Sequence, residues 1–307
     1  MPNIPKKEFY VLQDLVTSGW DDYELLDSGD QKKLERFGHY QLVRFEPEAI
    51  WKPALDNDAW SKADAVFSIE KGMQQGLWRV NQKIPDSWII NFEEVNINVF
   101  ISKSRHIGIF PEQTSNWKWI EKIISNEKEP PIVLNLFGYT GVSTVVAANA
   151  GATVTHVDAS KNSITWAKKN LLDSGLENNP ARWIVDDTYK FIEREIRRGN
   201  KYDAIILDPP KFGRGPGGEI WKFDKAIIEL LKACSQVLSN HPLFVIITAY
   251  NVDIQPVELA KMLNTALKDQ PGKLQYGSLI QQEKSAGRKI RQSIYTRWEK
   301  IQRTKEK

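Results

Sequence analysis

The chain has 307 residues, 41% apolar and 26% charged, a balance that supports a buried core and excludes wholesale disorder. Its single cysteine, Cys234, excludes an intramolecular disulfide framework and any multi-thiolate metal site. The net charge of +3 does not mark a nucleic-acid binder, but it is uneven: residues 273–307 carry ten Lys/Arg against three Glu, a local +7.

Residues 1–8 lack a continuous apolar stretch, and no segment approaches the roughly 18–20 apolar residues that cross a bilayer. The expectation is a cytoplasmic protein in a reducing compartment, with no membrane partner. Seven of the eleven Trp precede residue 120. In that region the stretches 40–45, 87–92 and 95–100 alternate apolar and polar residues, with a short turn at Glu93-Glu94. They predict a small antiparallel sheet with Trp in its core, a β-rich domain over residues 1–113. Residues 114–131 then read as a helix and linker. Trp117, Ile120 and Ile124 give the helical spacing, Thr114 or Ser115 the N-cap, and 125–131 a charged connector ending in two prolines.

Beyond the connector, apolar runs at 132–137, 153–157, 182–185, 202–207 and 243–248 alternate with helical spacing at 143–150, 161–172, 188–198, 222–238 and 254–267. That alternation predicts a parallel sheet with helices on both faces. Stretches 274–281 and 293–298 read as a final antiparallel pair joined by a long polar loop. The predicted architecture over 132–300 is therefore α/β: a doubly wound, Rossmann-like, seven-stranded sheet closed by an antiparallel hairpin, with a basic tail at 301–307.

The residues at the strand ends carry the chemistry. After the first run stand Asn135, Phe137, Gly138, Tyr139, Thr140 and Gly141, a turn that lets a ligand approach the backbone at a helix N-terminus. Asp158, twenty residues after Gly138, ends the second run, the spacing at which a carboxylate accepts both hydroxyls of a nucleotide ribose. A nicotinamide enzyme would use the same acid but shows Gly-x-Gly-x-x-Gly, and Phe137 interrupts that pattern. Asp186 and Asp187 end the third run, where a carboxylate can accept an adenine amino group; Asp187 also suits the next helix cap. After the fourth run come Asp208, Pro209, Pro210, Lys211, Phe212, Gly213 and Arg214. The two prolines remove N–H donors and leave carbonyl oxygens, Asp208 adds a charged acceptor, Phe212 a stacking face, and Lys211 and Arg214 phosphate contacts.

In this order, residues 100–298 resemble class I S-adenosylmethionine-dependent methyltransferases. More narrowly, 107–113, 135–141 and 208–212 resemble the bacterial large-subunit ribosomal RNA methyltransferase family with cytosine-C5 and guanine-N7 members, without the RNA-binding module often fused at the N-terminus of the former. The resemblance implies S-adenosylmethionine as cofactor and RNA, ribosomal RNA first, as partner. It extends the cofactor contacts from the turn, Asp158 with Ala159 and Ser160, Asp186, Asp187 and Asp208 to Phe110 and Gln113, while Glu112 and Thr114 replace the motif's Asp and Arg.

Cytosine C5 needs a covalent thiol adduct. The relatives that form one carry the cysteine just after the fifth strand, where this chain has Thr248-Ala249-Tyr250-Asn251, and Cys234 falls on an apolar helix pattern with Ile227, Leu230, Leu231 and Leu238. A base nitrogen is the expected acceptor, its N–H taken by Asp208 or the Pro209 carbonyl and its ring stacked on Phe212 or Tyr250. Lys284, Arg288, Lys289, Arg291 and Arg297, in and beside the last hairpin, are expected phosphate contacts together with Arg214. A small-molecule or protein methyltransferase, or a cofactor-binding RNA or assembly module without turnover, are the alternatives. His39, His106, His156 and His241 lack metal-ligand spacing, and no metal is expected.

Overall fold

The computed structural model describes residues 10–69, 76–81, 84–102, 104–179 and 181–301. Of the basic tail, residues 302–307 lie outside the described residues. The short strands β1 (Tyr10–Leu12) and β2 (Leu15–Val16) come first. A five-stranded sheet follows in the order β3 (Tyr23–Gly29), β4 (Lys32–Phe37), β5 (Tyr40–Phe45), β6 (Ala65–Ser68) and β7 (Leu77–Val80), with a short helix α1 (Asn57–Ser61) before β6. It is antiparallel except for the β5–β6 pair. Strands β8 (Trp88–Phe92) and β9 (Val95–Val99) form a separate antiparallel ladder. The single antiparallel sheet expected from sequence is thus two units. Strands β3 and β4 escaped the hydrophobic pattern because Asp27, Ser28, Lys33 and Glu35 are buried in them. Trp20, Trp88 and Trp117 share one core, with Trp117 edge-on to Trp20 at 5.9 Å and to Phe92 at 5.2 Å. Trp51, Trp60 and Trp78 are only half-buried.

A 3₁₀ turn, Pro111–Gln113, leads into α2 (Thr114–Ile124). The N-cap is therefore Gln113, not Thr114 or Ser115. Thr114 is already helical, and its hydroxyl turns back to the Pro111 carbonyl at 2.6 Å.

The main unit alternates as predicted: β10 (Ile132–Leu136), α3 (Val142–Asn149), β11 (Thr153–Asp158), α4 (Lys161–Asp173), β12 (Ala181–Val185), α5 (Thr188–Arg198) and β13 (Ala204–Leu207). A small hairpin, β14 (Phe212–Arg214) with β15 (Ile220–Lys222), precedes α6 (Phe223–Val237), β16 (Phe244–Ala249), α7 (Pro256–Ala266), β17 (Gly272–Gln282) and β18 (Lys289–Lys300). The sheet order is β1-β17-β18-β16-β13-β10-β11-β12, with β2 also on β17. It has nine strands rather than seven, because β1 and β2 pair in parallel with β17. Strand β18 runs antiparallel to both its neighbours. The expected long loop of the last pair is shorter, residues 283–288, because the polar stretch from Lys289 to Gln292 is strand.

Successive residues in the central strands serve opposite faces. Val133, Ala204, Ile206, Phe244 and Ile246 join the core with α2 and α3, while Leu134, Ile205, Leu207, Val245 and Ile247 join the core with α5, α6 and α7. Burial on both faces explains why these strands read as continuous apolar runs. Cys234 is buried in the second core, and burial pushes its thiol pKa up. Among the described residues, no helix is long and apolar enough to cross a membrane.

Candidate active site

The carboxyl ends of β10, β11, β13 and β16 and the segment after β12 open into one cavity of about 1140 Å³. Ligands of open α/β sheets bind on this edge. The far wall comes from the N-terminal sheet (Lys33, Arg44, Phe45, Glu46), from Ser104, Arg105 and His106, and from Arg291 to Ile294 of β18. No sequence signal pointed to Lys33 or Arg44, since charges inside a β-sheet look like errors in the strand pattern.

The turn after β10 is built by its neighbours. Phe137 and Tyr139 have φ of 56° and 50°, and Gly141 has φ 78°. Gly138 is required by space: a Cβ there would lie 2.4 Å from Cε1 of His156. His156 is buried, its pKa pushed down to about 3 by desolvation, and its Nδ1 meets Thr144 Oγ1 at 2.8 Å. Asn135 donates to the same Thr144 oxygen at 2.8 Å, and the Thr140 hydroxyl donates to the Gly108 carbonyl at 2.6 Å. Phe137 and Tyr139 face the cavity; Asn135, Gly138, Thr140 and Gly141 shape the turn from behind rather than lining it.

Asp158, Ala159 and Ser160 all line the cavity. Asp158 accepts from the Tyr139 and Ser160 amides at 2.9 and 2.8 Å. Burial raises its carboxyl above the ordinary range, and these two amides partly offset that. The two acids after β12 separate. Asp187 caps α5, accepting from the Lys190 amide at 3.0 Å, and lines the cavity. Asp186 is ion-paired with Arg194 off the cavity wall, so the structure does not bring it to the site.

Asp208 sits where this cavity meets a small void behind it. Its Oδ2 accepts from Gln113 Nε2 at 3.3 Å, while its buried Oδ1 has no hydrogen-bond partner among the described residues. Burial, then the nearby Glu112 carboxyl, pushes its pKa up to about 8. Gln113 stands behind Asp208 in the small void and also donates to Tyr250 Oη at 3.1 Å, so it is not among the residues that line the main cavity. Phe110 does line the cavity, 5.8 Å from Tyr139 and 5.1 Å from Tyr250 between ring centres. Pro209 is buried. The Pro210 carbonyl accepts from Trp221 Nε1 at 2.6 Å, which leaves Pro209 as the carbonyl of the pair not claimed by Trp221. Lys211 pairs with Asp253 at 2.7 Å, and Phe212 stands 63% exposed at the mouth beside exposed Arg214.

The basic hairpin is mostly committed elsewhere. Arg288 is ion-paired with Asp27 and Glu283 and donates to the Lys52 carbonyl at 2.7 Å. Lys284 pairs with Glu24 at 2.9 Å, and Arg297 is buried against α2. Lys289 is exposed but away from the cavity; of this group only Arg291 lines it. Of the expected phosphate cluster, Arg288 and Lys284 are therefore tied to carboxylates of the N-terminal sheet and of the turn, and they hold the hairpin against that sheet.

Residues 114–220 match the family described as conserved hypothetical protein 95. Ribosomal RNA large subunit methyltransferase K of Neisseria meningitidis serogroup B is 28% identical over 193 residues, covering 60% of this chain and 53% of that protein. Ribosomal RNA large subunit methyltransferase I of Salmonella arizonae is 27% identical over 212 residues, covering 63% and 51%. The chain spans about half the length of these curated relatives. A crystal structure of a SAM-dependent methyltransferase from Agrobacterium tumefaciens is 39% identical and superimposes with a TM-score of 0.91 over 97% of both chains. Likeness of that extent carries the whole sheet, the strand-end loops and the N-terminal strands together, and on it the chain belongs to the S-adenosylmethionine-dependent methyltransferases.

Proposed function

We propose that this enzyme methylates RNA, in the first place ribosomal RNA, at a nitrogen of a base. The observation that carries the reading is Asp208: a carboxyl followed by Pro209, with one buried oxygen unclaimed among the described residues, where the cavity meets the small void behind it. An oxygen in that state costs free energy unless a donor meets it, and a base N–H is such a donor.

The donor set fits S-adenosylmethionine. Asp158 retains lone pairs for ribose hydroxyls, Asp187 for the adenine amino group, and Phe110, Tyr139 and Tyr250 supply an apolar wall. When bound, the cofactor supplies a methyl group on a positively charged sulfur. The chain then has to hold the acceptor nitrogen in line, accept its proton at Asp208 Oδ1 and keep water out. Phe212, exposed at the mouth, can stack on a base taken out of its helix.

Two further features favour RNA. The cavity exceeds the roughly 300–1,000 Å³ usual for small-ligand sites, with room for a nucleotide beside the cofactor. Arg105, Arg214 and Arg291 line it without an ion pair among the described residues, unlike Lys33 and Arg44, which Glu35 and Glu46 neutralise. The names of the curated relatives point to the same substrate class. Incubation with methyl-labelled cofactor and total RNA from cells lacking the protein tests the reading. Label is expected in large-subunit ribosomal RNA, in a nucleoside methylated on a ring or exocyclic nitrogen. Label confined to protein or metabolites, or found on carbon, would overturn it.

A further inference from the structure

Behind Asp208 four side chains from three stretches of the chain form a file of hydrogen bonds, with side branches from Asn116 to the Thr248 hydroxyl at 3.3 Å and from Gln113 to Tyr250 Oη at 3.1 Å. Arg297 of β18 donates through Nε at 3.0 Å and Nη2 at 2.6 Å to Oδ1 of Asn116 on α2. Asn116 Nδ2 donates to Gln113 Oε1 at 2.5 Å. The Thr248 hydroxyl donates to that same oxygen at 3.5 Å. Gln113 Nε2, the other end of the amide, then reaches Asp208 Oδ2 at 3.3 Å.

The direction of this file is fixed by chemistry. The two ends of an amide have nearly the same shape but opposite hydrogen-bonding roles, so an isolated Asn or Gln can be turned over with little steric cost. A guanidinium has donors only, so Asn116 must give Arg297 its oxygen. Its NH₂ then faces Gln113, which must answer with oxygen, and the Gln113 NH₂ falls on Asp208. Turning either amide would set donor against donor or acceptor against acceptor among buried groups. Arg297 itself is 5% exposed and has no carboxylate within ion-pair distance among the described residues. It donates instead to the Ser115 carbonyl at 2.6 Å and to Gln275 Oε1 at 3.4 Å, and rests on the Trp119 ring, 4.8 Å away. A buried cation without a counter-ion is a costly element if packing is its only role.

We infer that Arg297, acting through Asn116 and Gln113, is a positioning residue that holds Asp208 Oδ2 as the oxygen engaged by the protein and leaves Oδ1 for the methyl acceptor. The inference rests on the reading of Asp208 given above. The charged and titratable groups facing Asp208 are Glu112, which raises its proton affinity, and Tyr250, whose own pKa burial raises; Lys211 is paired with Asp253. The Gln113 hydrogen bond lowers the proton affinity of Asp208, so a broken file raises it.

The test is a carboxyl ¹³C NMR titration of the full chain without cofactor, the Asp208 signal being assigned by its loss in Asp208→Asn. Arg297→Gln and Arg297→Met remove the same charge, but only glutamine keeps a donor for Asn116. The midpoint is expected to stay near the wild-type value in Arg297→Gln and to rise by about one pH unit in Arg297→Met. Asn116→Leu breaks the file between Arg297 and Gln113 without adding a charge, and the midpoint should rise again. Equal midpoints in the two Arg297 variants, or no rise in Asn116→Leu, would overturn the inference. Should Arg297→Met fail to fold, the Asn116→Leu titration decides. Wild-type turnover in Asp208→Asn would remove Asp208 from methyl transfer, an outcome separate from the titration.

Discussion

Asp208 carries both the chemistry and the most readable sequence signal, because a carboxylate followed by two prolines at a strand end has few structural uses. The oxygen left unpaired, and the amides that hold the other, depend on residues 95 positions away and could not be read from the chain. Gly138 shows the same limit: its place in a turn was legible, but its reason, the His156 ring against it, comes from the neighbouring strand. The raised pKa of Asp208 gives a pH prediction. With the midpoint at about 8 in the free enzyme, only a minor fraction is ionised at neutrality. If the ionised form accepts the proton, kcat/KM for the acceptor should rise about tenfold per pH unit on the acid side and level off above the midpoint. A bound sulfonium draws the inflection downward, and Glu112→Gln should draw it down in the free enzyme by removing the neighbouring charge. Because folding raises this pKa, its contribution to stability is present below about pH 4 and declines as pH climbs to about 8. A pH-independent rate between pH 6 and 9 would remove the proton-accepting role.

Apart from the β14–β15 hairpin and β18, the elements of the α/β unit were legible to within two residues because their period is clear: apolar runs of four to six for the central strands buried on both faces, and helical spacing between them. The N-terminal sheet was half hidden, since buried Asp27, Lys33, Glu35 and Arg44 replace the apolar residues that would have marked its inner face. Those charges also changed the meaning of the last hairpin. Asp27 shows how tightly the junction is held. Burial alone would raise its carboxyl, but hydrogen bonds from Ser285, the Leu55 amide, Trp60 and the Ala54 amide bring it below the ordinary value. A depressed carboxyl contributes stability above its unfolded pKa of about 3.9 and loses it as pH falls through the folded value, so this junction should loosen in acid. Arg288→Ala would leave Asp27 and Glu283 buried without their guanidinium, and about 3–5 kcal/mol of destabilisation is expected. Thermal unfolding would register this as a lowered midpoint. RNA affinity per folded molecule and its salt dependence should stay unchanged, where loss of a phosphate contact would weaken binding and make the slope of log K against log salt shallower by about 0.7.

At the scale of the whole molecule, the N-terminal sheet contributes Lys33, Arg44 and Phe45 to the cavity wall, and the first two strands belong to the edge of the catalytic sheet. The +3 net charge therefore says little, because Lys284, Arg288 and Arg297 of the basic C-terminal stretch are spent on internal partners. The cavity-lining arginines without an ion pair among the described residues, Arg105, Arg214 and Arg291, come from three distant places in the chain, and only folding brings them to one cavity. This redistribution sets the salt dependence of RNA binding. Each phosphate neutralised on single-stranded RNA contributes about −0.7 to the slope of log K against log salt. Replacing Arg105, Arg214 or Arg291 singly by Gln should make that slope shallower by about that amount. Lys284→Gln and Lys289→Gln should leave it unchanged, as neither lines the cavity. A salt titration of binding by fluorescence anisotropy reads the slopes directly. If the hairpin lysines moved the slope and the three arginines did not, RNA would be held on the outer face of the hairpin and the cavity mouth would lose its role as the RNA-binding rim.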